Sequence, residues 1–166
     1  VDNCTDGLFL FLKYLKPSGD IILPSRTWIS VPCTVIHSGC KVKFEDYKWS
    51  GAYQLKPYPI YDGAVRMKKG MYKSGTYHCL SFHIRKHIPI GKGGMILTDN
   101  ETLANKARYL TTQAKDDPKY YIHNSIGYNY RLTNIQSAIG VAQLEQLSGF
   151  IKNKKLIFQK YSESIL

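Results

Sequence analysis

Three short segments hold side chains whose types and spacing could do chemistry. Ser81-Phe82-His83-Ile84-Arg85-Lys86 places a hydroxyl, an imidazole and a primary amine within six residues, and Gly91-Lys92-Gly93-Gly94 follows four residues later. Pro24-Ser25-Arg26-Thr27-Trp28 combines hydroxyls, a cation and a large aromatic ring, and Asp62-Gly63-Ala64 sets a carboxylate at a turn-forming pair. An amine nucleophile, a carboxylate, a stacking ring and hydroxyls together describe a site for an aromatic, phosphorylated cofactor.

Each segment follows a run that reads as a strand. Asp20 to Leu23, Pro59 to Tyr61 and Tyr77 to Phe82 are short and apolar, and ligands of α/β sheets bind beyond the carboxyl ends of their strands. Between them, Thr5 and Asp6 can cap a helix carrying Leu8, Phe11, Leu12 and Leu15, which Pro17-Ser18-Gly19 ends. A second helix is expected over roughly Thr27 to Ser38, despite Pro32, followed by a strand at Lys41 to Phe44. Asp46 to Pro59 is aromatic, Gly- and Pro-containing and without period, which predicts a loop; Arg66 to Gly75 is a basic loop.

Met95 to Thr98 reads as a further strand, and Asp99-Asn100-Glu101 opens a helix to about Thr112. In the last third, Leu132, Ile135, Ile139 and Ala142 recur on one helical face, and Leu147, Ile151, Leu156 and Ile157 predict another helix beyond Gly149. Strands alternating with helices give an α/β domain, a mostly parallel sheet flanked by helices, over the single unit 1–166.

Composition is compatible with a packed core. The 166 residues are 43% hydrophobic and 21% charged, with 13 Tyr, which excludes disordered, collagen-like and coiled-coil classes. No run reaches the roughly 20 uncharged apolar residues of a spanning helix. Residues 1 to 12 lack the basic start and cleavage site of a signal peptide, so a cytoplasmic location is expected, while Val1 in place of Met leaves an upstream start open. Cys4, Cys33, Cys40 and Cys79 form no Cys-x-x-Cys pair and are expected to be buried thiols. Neither Cys33, His37 and Cys40 nor His78, His83 and His87 has the spacing of a structural zinc site, so no metal is expected.

The Ser-Phe-His-x-x-Lys motif with its following Gly-x-Gly-Gly, and Gly127-Tyr128-Asn129-Tyr130-Arg131-Leu132-Thr133-Asn134-Ile135-Gln136 downstream, resemble the DegT/DnrJ-type nucleotide-sugar aminotransferases. Leu110-Thr111-Thr112-Gln113-Ala114-Lys115 and the run from Asn124 to Gln143 most resemble members that aminate C4 of a UDP-linked 4-keto-6-deoxy amino sugar. The resemblance implies the large domain of the aspartate aminotransferase fold (fold type I), pyridoxal 5′-phosphate as cofactor, an amino-acid donor such as glutamate, and a homodimer with shared sites.

Roles follow residue by residue from that resemblance. Lys86 is the expected Schiff-base lysine and proton carrier, Asp62 the partner of the pyridinium nitrogen, and His83 a group lining the site near Lys86. Trp28 matches the aromatic that stacks on the cofactor ring. The hydroxyl and N–H groups at Thr5, Asp6 and Gly7, with Ser81, are expected to take the phosphate. Asn129 matches the asparagine extended to the neighbouring subunit's phosphate, and Tyr130 and Arg131 are the expected substrate contacts.

The chain also departs from the family pattern. Cys4 stands for the Gly of the phosphate turn, Val65 for a Gln that contacts the ring hydroxyl, and Lys92 for a Glu. Relatives carry a segment before the position of Asn3 and a small C-terminal domain after that of Leu166. Only 15 residues separate Asp46 from Asp62, too few for the βαβ crossover expected there.

Two other functional classes compete. One is a shortened, catalytically impaired scaffold that retains a dimer surface. The other takes the net charge of +11 as nucleic-acid binding, through Arg66, Lys68, Lys69 and Lys73 with Tyr72 and Tyr77, or through Lys152, Lys154 and Lys155.

Overall fold

The computed structural model describes residues 1–165. Helix α1 (Cys4–Leu15) starts one residue before the expected caps: Asn3 is the N-cap, its Oδ1 accepting from the Asp6 N–H at 2.9 Å. Lys16, in the left-handed region at φ 43°, ends the helix, and its N–H reaches the Leu12 carbonyl. Leu8, Phe11 and Leu12 recur at helical spacing and are fully buried. They seat α1 on the sheet beside Ile21, Leu23, Ile60 and Cys79, each such apolar side chain contributing about 1.5–3 kcal/mol by burial.

Strand β1 (Asp20–Pro24) pairs in parallel with β2 (Lys41–Glu45) across helix α2 (Ser30–His37). Pro32 occupies the first turn of α2, where a missing N–H breaks no helical bond, so the helix forms but starts later than expected. The expected loop from 46 to 59 contains a strand, β3 (Tyr53–Gln54), antiparallel to β4 (Ile60–Asp62). Lack of period hid it, because a two-residue strand has no alternation to read. Backbone bonds between Ile22 and Lys56 join the two sheets.

β4 pairs in parallel with β5 (Tyr77–Ser81), which pairs antiparallel with β6 (Gly94–Leu97). The α/β class therefore holds, with two parallel and two antiparallel pairings among the described strands, and the four-stranded sheet is mixed. Gly94 permits an unusually close approach. A Cβ there would lie 2.5 Å from the Asn3 carbonyl carbon, and reciprocal backbone bonds between Val1 and Gly94 tie the start of the chain to β6. That tie aims the N-terminus of α1 at the carboxyl ends of β4 and β5.

Helix α3 (Glu101–Thr111) is capped by Asn100. Helices α4 (Asn134–Glu145) and α5 (Leu147–Ile165) follow, α4 opening on a Thr133–Gln136 capping box. Their apolar face exists but is not covered: Ile135 is 76% exposed, and Ile139, Leu156 and Ile157 are exposed too. Leu132 and Leu147 pack on the second buried cluster of Leu80, Phe82, Ile88 and Ile90. Two of the four cysteines expected to be buried, Cys33 and Cys40, are only half-buried. No helix among the described residues is long and apolar enough to cross a membrane.

His78 is buried on β5, stacked on Tyr61 at 4.7 Å, with no hydrogen-bond partner for either ring nitrogen among the described residues. Burial disfavours the imidazolium, so its pKa lies below the ordinary 6.5. His87 shifts the same way, through burial and the nearby Lys154 and Lys86. A lowered folded pKa means the unfolded chain takes up the proton first as pH falls. Stability should be complete above about pH 6.5 and decline below it, as pH approaches the folded value. Denaturant melts from pH 8 to pH 5 should show that decline, and His78→Phe should flatten it.

Candidate active site

The carboxyl ends of β1, β4 and β5 and the N-terminus of α1 surround a cavity of about 860 Å³. Thr5 comes from α1, Trp28 from the segment after β1, Asp62 from the end of β4, and Ser81 from the end of β5, with His83 and Lys86 on the turn that follows. Of the residues singled out in the sequence, the cavity thus collects Thr5, Trp28, Asp62, Ser81, His83 and Lys86. The lining also includes Arg26, Arg85 and Lys92 beside Lys86, against the single acid Asp62.

The turn that carries Lys86 is pinned at both sides. Phe82 donates its N–H to the Gly93 carbonyl and accepts from Ile90, while Phe82, Ile88 and Ile90 are buried. Within the turn, the Lys86 N–H reaches the His83 carbonyl at 2.8 Å, and the Arg85 N–H donates to His83 Nδ1 at 3.3 Å. That bond leaves Nδ1 as the acceptor of the imidazole. Lys86 is half-buried and His83 exposed. Trp28 is 67% exposed, its ring unclaimed by the core. Thr5 donates its hydroxyl to Ser30 Oγ at 3.1 Å.

Asp62 is buried at the cavity floor, 7% exposed. Oδ2 accepts from the Tyr53 hydroxyl at 2.9 Å; Oδ1 accepts from the Ala64 N–H at 2.8 Å and from the Cys4 thiol at 3.8 Å. All three donors are neutral, and among the described residues no cation lies within 4 Å of the carboxylate. Burial, then Asp62 and Cys79, push the Cys4 thiol well above its ordinary range, opposed by the positive charge of Lys86. Lys86 and Asp62 therefore both act on Cys4 from within one cavity. Cys79 is pushed up by burial and by Asp62 as well.

Other expected residues lie elsewhere. Asp6 does not line the cavity; its carboxylate accepts from Asn3 Nδ2 at 2.6 Å, and burial and Asp2 raise its pKa. Asn129 and Arg131 line a separate hollow of about 370 Å³ with Thr111, Thr112, Gln113 and Lys115. Tyr130 stacks on Tyr128 at 5.0 Å and meets Phe9 edge-on, away from both hollows. Two aromatics on the cavity wall, Trp49 and Tyr53, were not among the expected residues. Both come from the stretch without period, and only the pairing of β3 with β4 shows where they point.

The sequence model of the DegT/DnrJ/EryC1/StrS aminotransferase family matches residues 61–165. The chain belongs to that family. GDP-perosamine synthase of Escherichia coli O157:H7 is 41% identical over 99 residues, covering 58% of this chain and 27% of that protein. The spore coat polysaccharide biosynthesis protein SpsC of Bacillus subtilis (strain 168) is 26% identical over 216 aligned positions, covering 97% of this chain and 55% of SpsC. The aminotransferase TlmJ from Streptoalloteichus hindustanus has the same fold, with a TM-score of 0.83 at 20% identity over 99% of this chain and 57% of that one. The chain thus spans little more than half the length of SpsC and of TlmJ.

The thiols give a direct check on the cavity floor. Cys4 and Cys79 are buried, which pushes both thiols well above their ordinary range, whereas Cys33 and Cys40 are half-buried, Cys40 also raised by its partial burial. Iodoacetamide at pH 8 followed by peptide mass mapping should label Cys33 and Cys40 in the folded chain. Cys4 and Cys79 should be labelled only after denaturation.

Proposed function

We infer that this chain is the cofactor-binding part of a pyridoxal 5′-phosphate-dependent aminotransferase that passes an amino group from an amino acid, glutamate by expectation, to a nucleotide-linked keto sugar. The observation that carries the reading is the shared cavity of Lys86 and Asp62, in which a buried carboxylate has only neutral partners. A buried carboxylate is costly without a compensating cation. A protonated pyridine nitrogen is such a cation, so the residues present fit the cofactor. Bound there, pyridoxal 5′-phosphate supplies an electron sink for the carbon that loses its proton in amino transfer.

The chain's own groups do the rest. Lys86 offers a primary amine on the cavity wall that can bond the cofactor aldehyde and carry a proton at Nζ. The Asp62 carboxylate would keep the ring nitrogen protonated, and Trp28 presents an uncommitted aromatic face for stacking. The Thr5 and Ser81 hydroxyls, with the N–H groups of α1 that Asn3 leaves free, suit a phosphate at a helix N-terminus, and Arg26 and Arg85 favour an anionic ligand around them, while Lys92 on the same wall is paired with Asp2. His83 lies on the Lys86 turn, where its imidazole can hold or pass a proton beside the amine.

A nucleotide-linked sugar brings further phosphates to the same cationic wall, and a relative 41% identical over its matched span is named for a GDP-linked sugar. The UDP-linked 4-keto sugar expected from the sequence belongs to the same chemical class. Asn129 and Arg131 lie outside this cavity, beside Lys115. That placement supports a homodimer in which they, with Tyr130, serve the neighbouring subunit's site. The basic stretch from Arg66 to Lys73 has lost its free aromatics: Tyr77 stacks on Phe11 at 4.6 Å, and the Tyr72 hydroxyl donates to Asp99 at 2.7 Å. This weighs against base stacking and nucleic-acid binding.

The test is covalent capture. The purified chain, incubated with pyridoxal 5′-phosphate, reduced with borohydride and digested, should carry the pyridoxyl mass on Lys86. Lys86→Ala should lose both that adduct and the visible absorbance of the bound cofactor. No adduct, or an adduct spread over surface lysines, would remove the basis of the assignment.

A further inference from the structure

The Asp62 carboxylate is held by a residue that the motifs did not include. β3 and β4 run antiparallel with Tyr53 directly opposite Asp62, which puts the two side chains on one face at about 4.5–5.5 Å between Cβ atoms. Tyr53 is 4% exposed, and its hydroxyl donates to Asp62 Oδ2 at 2.9 Å. A phenol has one proton to give. With that proton committed to Asp62, the contact between Tyr53 and Thr27 has Thr27 as donor. Thr27, Tyr53 and Asp62 thus form a directed chain of hydrogen bonds, Thr27 to Tyr53 to Asp62, from the segment after β1 to the end of β4.

The surroundings leave Tyr53 little alternative. Trp49 packs against its ring at 4.7 Å, and Trp49 Nε1 donates to the Arg26 carbonyl at 2.8 Å, which fixes the wall from which Thr27 reaches down. On the other carboxylate oxygen, the Ala64 N–H and the Cys4 thiol take the available directions. A carboxylate has about four lone-pair sites, and these three donors leave one, on Oδ2. The orientation of that remaining site is set by the Tyr53 bond. Burial and Asp62 both hold the Tyr53 phenol protonated, its pKa raised beyond the ordinary tyrosine range.

We propose that Tyr53, backed by Thr27, is the positioning residue that turns the free lone pair of Asp62 Oδ2 toward the cationic ring nitrogen of a ligand in the cavity. The proposal rests on the cofactor reading above for the identity of that ligand. Tyr53 does not touch the reacting atoms in it; it acts through Asp62. The short connection between β2 and β4 is what brings it there. Residues 46–59 hold no helix and return as a strand beside β4, which carries Tyr53 to the carboxylate.

The experiment compares wild type, Tyr53→Phe, Thr27→Val, Thr27→Ser and the remote control Tyr58→Phe, all first checked for an unchanged thermal unfolding midpoint. Two readouts are taken on each. In the chain without cofactor, the Asp62 carboxyl-carbon NMR resonance should move in Tyr53→Phe and in Thr27→Val, and stay in place in Thr27→Ser and Tyr58→Phe. In titrations with pyridoxal 5′-phosphate, Tyr53→Phe should bind at least about tenfold more weakly, the scale of a lost hydrogen bond to a charged group. Its visible absorbance should also change with pH at a different midpoint, because the carboxylate that faces the ring nitrogen is then held in a different direction.

An Asp62 resonance that does not respond to Tyr53→Phe overturns the proposal. So does equal affinity and an equal pH midpoint in Tyr53→Phe when wild type binds the cofactor. If wild type takes up no cofactor while the resonance still responds to both substitutions, the cofactor reading fails and the hold of Tyr53 on Asp62 stands.

Discussion

A buried carboxylate without a cation is the constraint around which this structure is arranged. Asp62 sits at the end of a three-residue strand and is kept from water by α1 above it and the 46–59 segment beside it. Its charge is tolerated because donors converge on it from three separate parts of the chain: Cys4 at the start of α1, Tyr53 on β3 and Ala64 in its own turn. Each of those parts is held by its own packing. α1 is fixed by Leu8, Phe11 and Leu12 and by the Val1–Gly94 backbone tie, β3 by pairing with β4, and the turn by the Gly63 N–H bonded to the Cys79 carbonyl.

The same packing makes the cavity rather than a closed core. α1 approaches β5 closely at Gly7, where an added Cβ would sit 3.2 Å from Cys79 Sγ, so the helix lies low on the sheet and its N-terminus opens toward the strand ends. The 82–93 loop is anchored by the buried Phe82, Ile88 and Ile90, and its Arg85, Lys86 and Lys92 line the cavity, Lys92 in an ion pair with Asp2. Cations therefore gather on the wall while one acid stays at the floor. The separation of charge is a consequence of where the loop's hydrophobic residues are, and it favours a ligand with both anionic and cationic parts.

Helices α4 and α5 contrast with this. They follow the rules of helix formation, with a capping box at Thr133 and apolar residues at helical spacing, yet bury none of their residues. Helix formation and helix packing are separate steps, and within the described residues the second is met only in part, at Leu147. The matches take in 55% of SpsC and 57% of TlmJ.

The chemistry-bearing motifs were legible before any coordinates because they are local. Ser81 to Lys86, the glycines after it and Asp62 at a strand end fall on contiguous stretches whose turn and strand signals survive in one dimension. So were the α/β class and the approximate span of most elements, since hydrophobic period and caps are short-range signals. The parts that were not legible depend on pairing across the chain. A two-residue strand has no period, so neither β3 nor the position of Tyr53 opposite Asp62 could be read from residues 46–59. The displacement of Asp6, Asn129, Tyr130 and Arg131 from the cavity was equally out of reach, because it is set by how α1 and the 124–131 segment pack against distant elements. Sequence by itself determined which groups this protein carries and on which turns. Tertiary structure alone decided which of them share one pocket, because burial and hydrogen-bond direction are properties of neighbours far apart along the chain.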